Sequence, residues 1–249
     1  MVSINKVKES NYCKILCYPR YEQKELEKRL EELKKLGVKS LEFTGKRIVA
    51  GIPVLGKGYV GVVVIAHTNF GRFALKIRRI DANRDEMFHE AEMLKKANTV
   101  YVGPKLFEVS QNFLLMELIE GLHFPEWINS IDINKTQVQV HTVLIHILEQ
   151  CYRLDEAGLD HGELSKAPKH IIVDVNSIPY LIDFETASTK RKVSNVTSIC
   201  QYLFLGSQIT KIIKEKIGMN NEKELVTGLR TYKHQNSRDN FEKILKIIF

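Results

Sequence analysis

Residues 56–65 read Gly56-Lys57-Gly58-Tyr59-Val60-Gly61-Val62-Val63-Val64-Ile65. The first six match the GxGxxG spacing of loops that cradle phosphates. In a dinucleotide-binding fold that spacing opens a helix, whose N-terminus meets the pyrophosphate. Here a β-branched run follows, and branching at Cβ disfavours a helix. The glycines are therefore expected in a hairpin between two strands. There, missing Cβ atoms let backbone N–H groups approach phosphate oxygens. A glycine-rich hairpin without a ligand is the plain alternative at this point.

Working outward, Ser40 to Ile80 holds short runs rich in Val, Ile and Phe: Arg47–Leu55, Val60–Ala66 and Phe73–Ile77. Gly and Asn-Phe-Gly turn material separates them, which predicts antiparallel strands. Lys76 lies inside the last of these, between Leu75 and Ile77. Burying its amine requires an anionic partner, either polyphosphate or a carboxylate. The helix expected over Asp85–Ala97 offers Glu90, beside Ala91 and one turn before Leu94, with Glu86 as the alternative. A solvent-facing edge lysine is the other reading.

A helix is expected over Tyr21–Leu36, with Leu26, Leu30 and Leu33 as its apolar stripe and Gly37 as its stop. The stripe could pack on the strands or on a partner. A strand pair is expected at Lys105–Ser110 and Phe113–Glu117. A long amphipathic helix follows over Val138–Leu154, then a second pair at Ile171–Val175 and Tyr180–Asp183, turning at Asn176-Ser177. The C-terminal stretch from Asn195 reads as helical. A strand-rich half before a helix-rich half predicts an α+β architecture rather than alternating βαβ units.

The chain has 249 residues, 44% of them hydrophobic, and a formal charge of +7. That composition supports a packed core and excludes wholesale disorder, and the charge suits polyanion partners. No apolar run approaches the ~20 residues of a membrane-spanning helix. The first residues carry no apolar signal core, so a cytoplasmic protein is expected. Cys13, Cys17, Cys151 and Cys200 lack the spacing of a zinc knuckle and are expected to be reduced thiols. Lys211–Phe249 carries nine Lys/Arg against five Asp/Glu. Such a tail could meet RNA or a ribonucleoprotein, or simply form a solvated face.

After the long helix comes Leu159-Asp160-His161-Gly162-Glu163-Leu164, and later Leu181-Ile182-Asp183-Phe184-Glu185. With these, the phosphate loop, the Ala74-Leu75-Lys76 strand, the helix glutamate and Met116-Glu117-Leu118-Ile119-Glu120-Gly121 stand in kinase order. The sequence resembles the protein-kinase-like superfamily, and within it the small atypical kinases: the RIO type, the KEOPS-associated kinase and an archaeal group of predicted serine/threonine kinases. The resemblance covers about residues 50–205. It implies a two-lobed fold: an N-terminal extension at 1–45, an N-lobe of antiparallel sheet plus one helix at 46–116, and a shortened, mainly helical C-lobe at 117–249.

The resemblance also implies roles. Gly56, Lys57, Gly58 and Gly61 would cover the triphosphate of ATP. Lys76 would bind the α/β-phosphates and pair with Glu90. The backbone of Glu117 and Leu118 would meet the adenine edge, with Met116 behind it. Asp183 would hold Mg²⁺, and Glu163 would accept the proton of the attacking hydroxyl. The implied activity is ATP/Mg²⁺-dependent phosphotransfer to Ser/Thr hydroxyls of a protein. The alternative is an ATP-binding switch or slow ATPase, or a small-molecule kinase.

Three departures bear on these roles. Glu163 replaces the usual aspartate, and Asp160 is a rival base. The asparagine expected five residues after the base is absent, and Pro168 falls at that count; if the loop carries two extra residues, His170 takes the slot: a weak metal ligand, a preference for Mn²⁺, or a packed histidine. Lys166 and Lys169 could supply positive charge instead. Glu185 replaces the glycine after Asp-Phe, which argues against a large swing of that segment. No Ala-Pro-Glu segment follows, so the activation loop and peptide-docking helices of ordinary protein kinases are not expected.

Overall fold

The β-branched run after the third glycine does continue as a strand, eight residues long from Gly61 to Thr68. The computed structural model describes residues 1–83, 86–131, 137–206 and 208–249, without the side chains of residues 86, 166 and 167. Glu86 and Lys166 thus lie outside the described side chains. The architecture is α+β, with a mainly antiparallel sheet and ten α-helices among the described residues. The chain divides into two compact units: Met1–Lys95 with Pro104–Leu118, and Lys96–Gly103 with Ile119–Phe249.

The first unit begins with β1 (Val2–Ser3), α1 (Ile4–Val7), α2 (Cys13–Leu16) and α3 (Gln23–Lys35). Strands β2 (Ser40–Glu42), β3 (Arg47–Val49), β4 (Ile52–Val54), β5 (Gly56–Lys57), β6 (Gly61–Thr68) and β7 (Gly71–Arg78) follow. Helix α4 (Glu86–Thr99), β8 (Leu106–Val109) and β9 (Phe113–Glu117) come next. The main sheet runs β1-β2-β6-β7-β9-β8, with β5 paired to β6. Period-2 alternation sorts the side chains of β6 and β7. Val62, Val64, Phe73, Leu75 and Ile77 join Ile15, Leu16, Leu26 and Leu33 in one core. The leucine stripe therefore packs on the sheet of its own unit. On the other face, Leu114 clusters with Met87 and Ala91 of α4, and Leu114 is the register partner of Lys76. Alternation thus turns Lys76 toward the α4 side.

One expectation is corrected here. Arg47–Leu55 is not one strand but the hairpin β3–β4, because Ala50 and Gly51 take φ of 50° and 79° and reverse the chain. One charged residue of α3 belongs to the interior. Arg29 is fully buried, donating to the carbonyls of Leu16 and Arg78, to Asn112 Oδ1 and to Glu25.

The second unit contains β10 (Gly121–His123), α5 (Phe124–Ser130), α6 (Gln137–Glu156), a 3₁₀ turn at Leu164–Lys169, β11 (Ile171–Asp174) and β12 (Pro179–Leu181). Helix α7 (Asn195–Cys200), a π-helical stretch at Gln201–Leu205, α8 (Gln208–Ile217), α9 (Glu222–His234) and α10 (Arg238–Ile248) complete it. The β11–β12 hairpin acquires a third strand, β10, which pairs with β11. Asp174 Oδ1 closes its turn by accepting from the N–H groups of Asn176 and Ile178. Among the described residues, no helix is long and apolar enough to cross a membrane.

Candidate functional site

In the first unit the glycine loop is the β5–β6 hairpin. Gly56 pairs with Val63 and Lys57 with Val62, and the Gly58 N–H donates to the Gly61 carbonyl at 2.8 Å. A Cβ on Gly61 would lie 2.9 Å from both the Ile77 carbonyl oxygen and Lys76 Cγ. A Cβ on Gly56 would meet only Val63, at an ordinary 3.7 Å. The third glycine is therefore the one that the passage of Lys76 requires.

Lys76 is 4% and Glu90 2% exposed, and Nζ lies 2.7 Å from Glu90 Oε2. A buried pair of this kind balances two desolvation costs of several kcal/mol each, and removing one partner leaves the other uncompensated. Lys57 Nζ donates to the Tyr18 hydroxyl at 2.7 Å and sits over the same ring. Met116 packs at the edge of the cluster formed by Val60, Met87, Ala91 and Leu114. The Glu117 N–H donates to the Lys105 carbonyl at 2.9 Å. A base edge reading this segment would therefore need its N–H donor from Leu118 or beyond, which narrows the role expected of Glu117. The division between the units falls just there, after Leu118.

In the second unit the loop between α6 and β11 meets the end of β12. Asp160 is 5% exposed and both its oxygens are committed. Oδ2 accepts from Arg191 Nε at 3.0 Å, and Oδ1 accepts from the backbone N–H and hydroxyl of Ser194 at 3.1 Å each. These bonds make it a brace for the loop. Gly162 takes φ of 90°, and a Cβ there would crowd the oxygens of Thr186 at 3.0 Å and the Arg191 guanidinium. This turn carries Glu163, 35% exposed at its side chain, to 3.2 Å from His170 Nε2. On the other side of the ring, His170 Nδ1 is 3.8 Å from Asp183 Oδ2. Asp183 takes φ of 70°, a left-handed conformation that costs a non-glycine residue energy and clusters at functional sites.

One oxygen from Glu163, one nitrogen from His170 and one oxygen from Asp183 all lie within 4.8 Å of one another. Two carboxylates and an imidazole can hold a divalent ion. The set suits a borderline ion better than Mg²⁺, which favours oxygen donors. His161 lies beside this group, its ring 5.6 Å from that of His170 and 4.9 Å from that of Phe184. Burial first, and then the neighbouring His170, push its pKa down to about 4. It is neutral at pH 7, with Nε2 placed to donate to the Ile182 carbonyl at 3.1 Å.

Residues outside the sequence reading hold this loop. Asn195 Oδ1 accepts from the His161 N–H, and its Nδ2 donates to the Leu159 carbonyl and to Asp155. Asp155, on α6, also accepts from the N–H groups of Asn195 and Val196 and from the Tyr232 hydroxyl. The start of α7 is thus capped from another helix; Ser194 makes no side-chain cap of its own. In the basic tail, Lys216 donates to the Ile131 carbonyl, Lys214 pairs with Glu222 and Arg238 pairs with Glu149.

No family model matches the chain. A 120-residue stretch, 47% of the chain, is 28% identical to the uncharacterized protein MJ1211 of Methanocaldococcus jannaschii and covers 98% of that protein.

Proposed function

We propose that this chain is an ATP-dependent phosphotransferase with a two-lobed, protein-kinase-like fold, acting on Ser/Thr hydroxyls of a protein in the cytoplasm. The reading rests most heavily on Lys76. A strand lysine buried against a helix carboxylate, behind a glycine hairpin whose last glycine its own side chain requires, is a costly arrangement. An incoming polyphosphate gives it a purpose.

In this reading Gly56, Lys57, Gly58 and Gly61 cover the triphosphate, and Lys76, oriented by Glu90, binds its α/β oxygens. Met116, Glu117 and Leu118 border the base. Glu163 accepts the proton of the attacking hydroxyl as the γ-phosphoryl passes in line from ATP to that oxygen. A divalent ion, Mg²⁺ or Mn²⁺, held by Asp183 and His170 would offset the phosphate charge. RNA or ribonucleoprotein as a partner of the basic tail is the weaker proposal, since Lys214, Lys216 and Arg238 already make contacts within the chain.

A slow ATPase or nucleotide switch is the second reading. One oxygen of Glu163 already faces His170 at 3.2 Å, which would reduce its freedom to act as a base.

The test is a thermal-shift and transfer pair. Mg²⁺-ATP or Mn²⁺-ATP should raise the melting temperature, and Lys76→Ala or Asp183→Asn should remove the rise. Label from γ-phosphate should appear on protein and disappear in Glu163→Gln. No shift with either metal would overturn nucleotide binding, while release of free phosphate without phosphoprotein would favour the second reading.

A further inference from the structure

His170 is more than nine-tenths buried, and its Nδ1 has no hydrogen-bond partner among the described residues. A buried polar nitrogen left this way carries a desolvation cost that nothing offsets. Asp183 Oδ2 is at 3.8 Å, too far for a hydrogen bond. The opposite nitrogen, Nε2, faces Glu163 Oε2 at 3.2 Å. A carboxylate facing that nitrogen favours the tautomer whose lone pair is on Nδ1, the side of Asp183. The backbone reinforces this placement, because the Ile182 N–H donates to the His170 carbonyl at 2.9 Å and locks the two ligand-bearing segments together.

We propose that His170 Nδ1 and Asp183 bind one borderline divalent cation, Mn²⁺ in preference to Mg²⁺, with Glu163 as the residue that positions the imidazole. The gap of 3.8 Å is a few tenths of an ångström wider than the roughly 3.0–3.4 Å between neighbouring ligands around one ion with bonds of about 2.1 Å. A small inward movement of either side chain closes it. An imidazole nitrogen in the first coordination sphere favours Mn²⁺ over Mg²⁺, whose small, hard ion holds to oxygen and water. The carboxylate–imidazole–metal sequence then explains why an acid stands on each side of one buried ring.

This inference deepens the metal part of the phosphotransferase reading, but its test uses no nucleotide, so the two fail separately. The full chain is titrated with Mn²⁺ alone, and free Mn²⁺ is followed by electron paramagnetic resonance with Mg²⁺ as competitor. One Mn²⁺ per chain is expected, with spin-echo modulation from a single imidazole nitrogen. His170→Asn should lower the Mn²⁺/Mg²⁺ affinity ratio tenfold or more, and Asp183→Ala should abolish binding of both ions. Glu163→Ala should weaken Mn²⁺ binding by about tenfold or more, and Glu163→Gln, which keeps an acceptor oxygen facing Nε2, should restore most of it. Absence of nitrogen modulation in the unaltered chain, or an unchanged ratio in His170→Asn, would overturn the proposal. The modulation is read without any substitution, so a variant that fails to fold does not decide the matter.

Discussion

A Cβ at Gly61 would stand 2.9 Å from Lys76 Cγ, closer than packed carbon atoms come. The Ile77 carbonyl oxygen would be as close, so the glycine is explained by the passage of β7, lysine and backbone together, independently of any ligand. Gly61→Ala should destabilise the chain by about 1–3 kcal/mol through overpacking, read as a lower urea midpoint. It should also displace Lys76 from Glu90 and reduce nucleotide-induced thermal stabilisation. Gly56→Ala, with only an ordinary contact at Val63, should cost far less. Equal losses at the two glycines would show that the loop's backbone, and not Lys76, sets the requirement.

The Lys76–Glu90 pair yields a non-additive prediction. Lys76→Met takes the ammonium away from a carboxylate that is 2% exposed, and Glu90→Leu takes the carboxylate away from the buried amine. Each single change should cost about 3–5 kcal/mol, whereas the double change should recover most of that loss. Chemical denaturation of all four proteins measures the cycle. A double mutant no more stable than the singles would mean that the pair is held by contacts beyond its own charges.

How far the sequence could be read follows from what each feature depends on. The glycine hairpin, Lys76 and its helix partner Glu90 were legible because period-2 alternation and helical spacing are local. The Glu163, His170 and Asp183 trio was legible only as three positions in a row of motifs. Its spacing through space depends on the β11–β12 hairpin and on the positive φ at Gly162 and Asp183. The pairing of Arg29 with Glu25 follows from helical spacing, but its burial was not legible, because a charge on an amphipathic helix ordinarily faces water. Nothing in its neighbours announces that Asn112 and two carbonyls await it 13 to 83 positions away. Asp155 was invisible as a cap for the same reason, since the helix it caps begins 40 residues later.

Tyr232 should make the fold sensitive to alkali. Its hydroxyl donates to Asp155 Oδ2 at 3.0 Å; burial first, and then the Asp155 charge, push the phenol's pKa well up. Burial likewise pushes Tyr202 up to about 12. In the unfolded chain both ionise near pH ~10. The folded state keeps its protons above that value, so their contribution is intact below pH ~10 and is lost as pH rises toward 12. The urea midpoint should fall steadily over that interval. Tyr232→Phe should cost about 1.5–3 kcal/mol at neutral pH, as expected for a hydrogen bond to a charged group. It should also flatten part of the alkaline decline; an unchanged decline would place the sensitivity elsewhere.

Asp160 and Glu163 separate stability from turnover. Asp160 is buried, with Arg191 and Ser194 on its oxygens, so Asp160→Asn should lower stability by about 2–4 kcal/mol. Its effect on phosphate transfer should follow the folded fraction and be small where the protein is fully folded. Glu163 is a third exposed and faces only His170 among the described ion pairs, so Glu163→Gln should shift the urea midpoint little. Loss of a general base should nevertheless reduce transfer by about 100-fold or more while thermal stabilisation by Mn²⁺-ATP survives. The two variants therefore move different observables. If Asp160→Asn abolishes transfer in a fully folded protein while Glu163→Gln leaves it intact, the proton acceptor is Asp160, and its bonds to Arg191 and Ser194 must open during turnover.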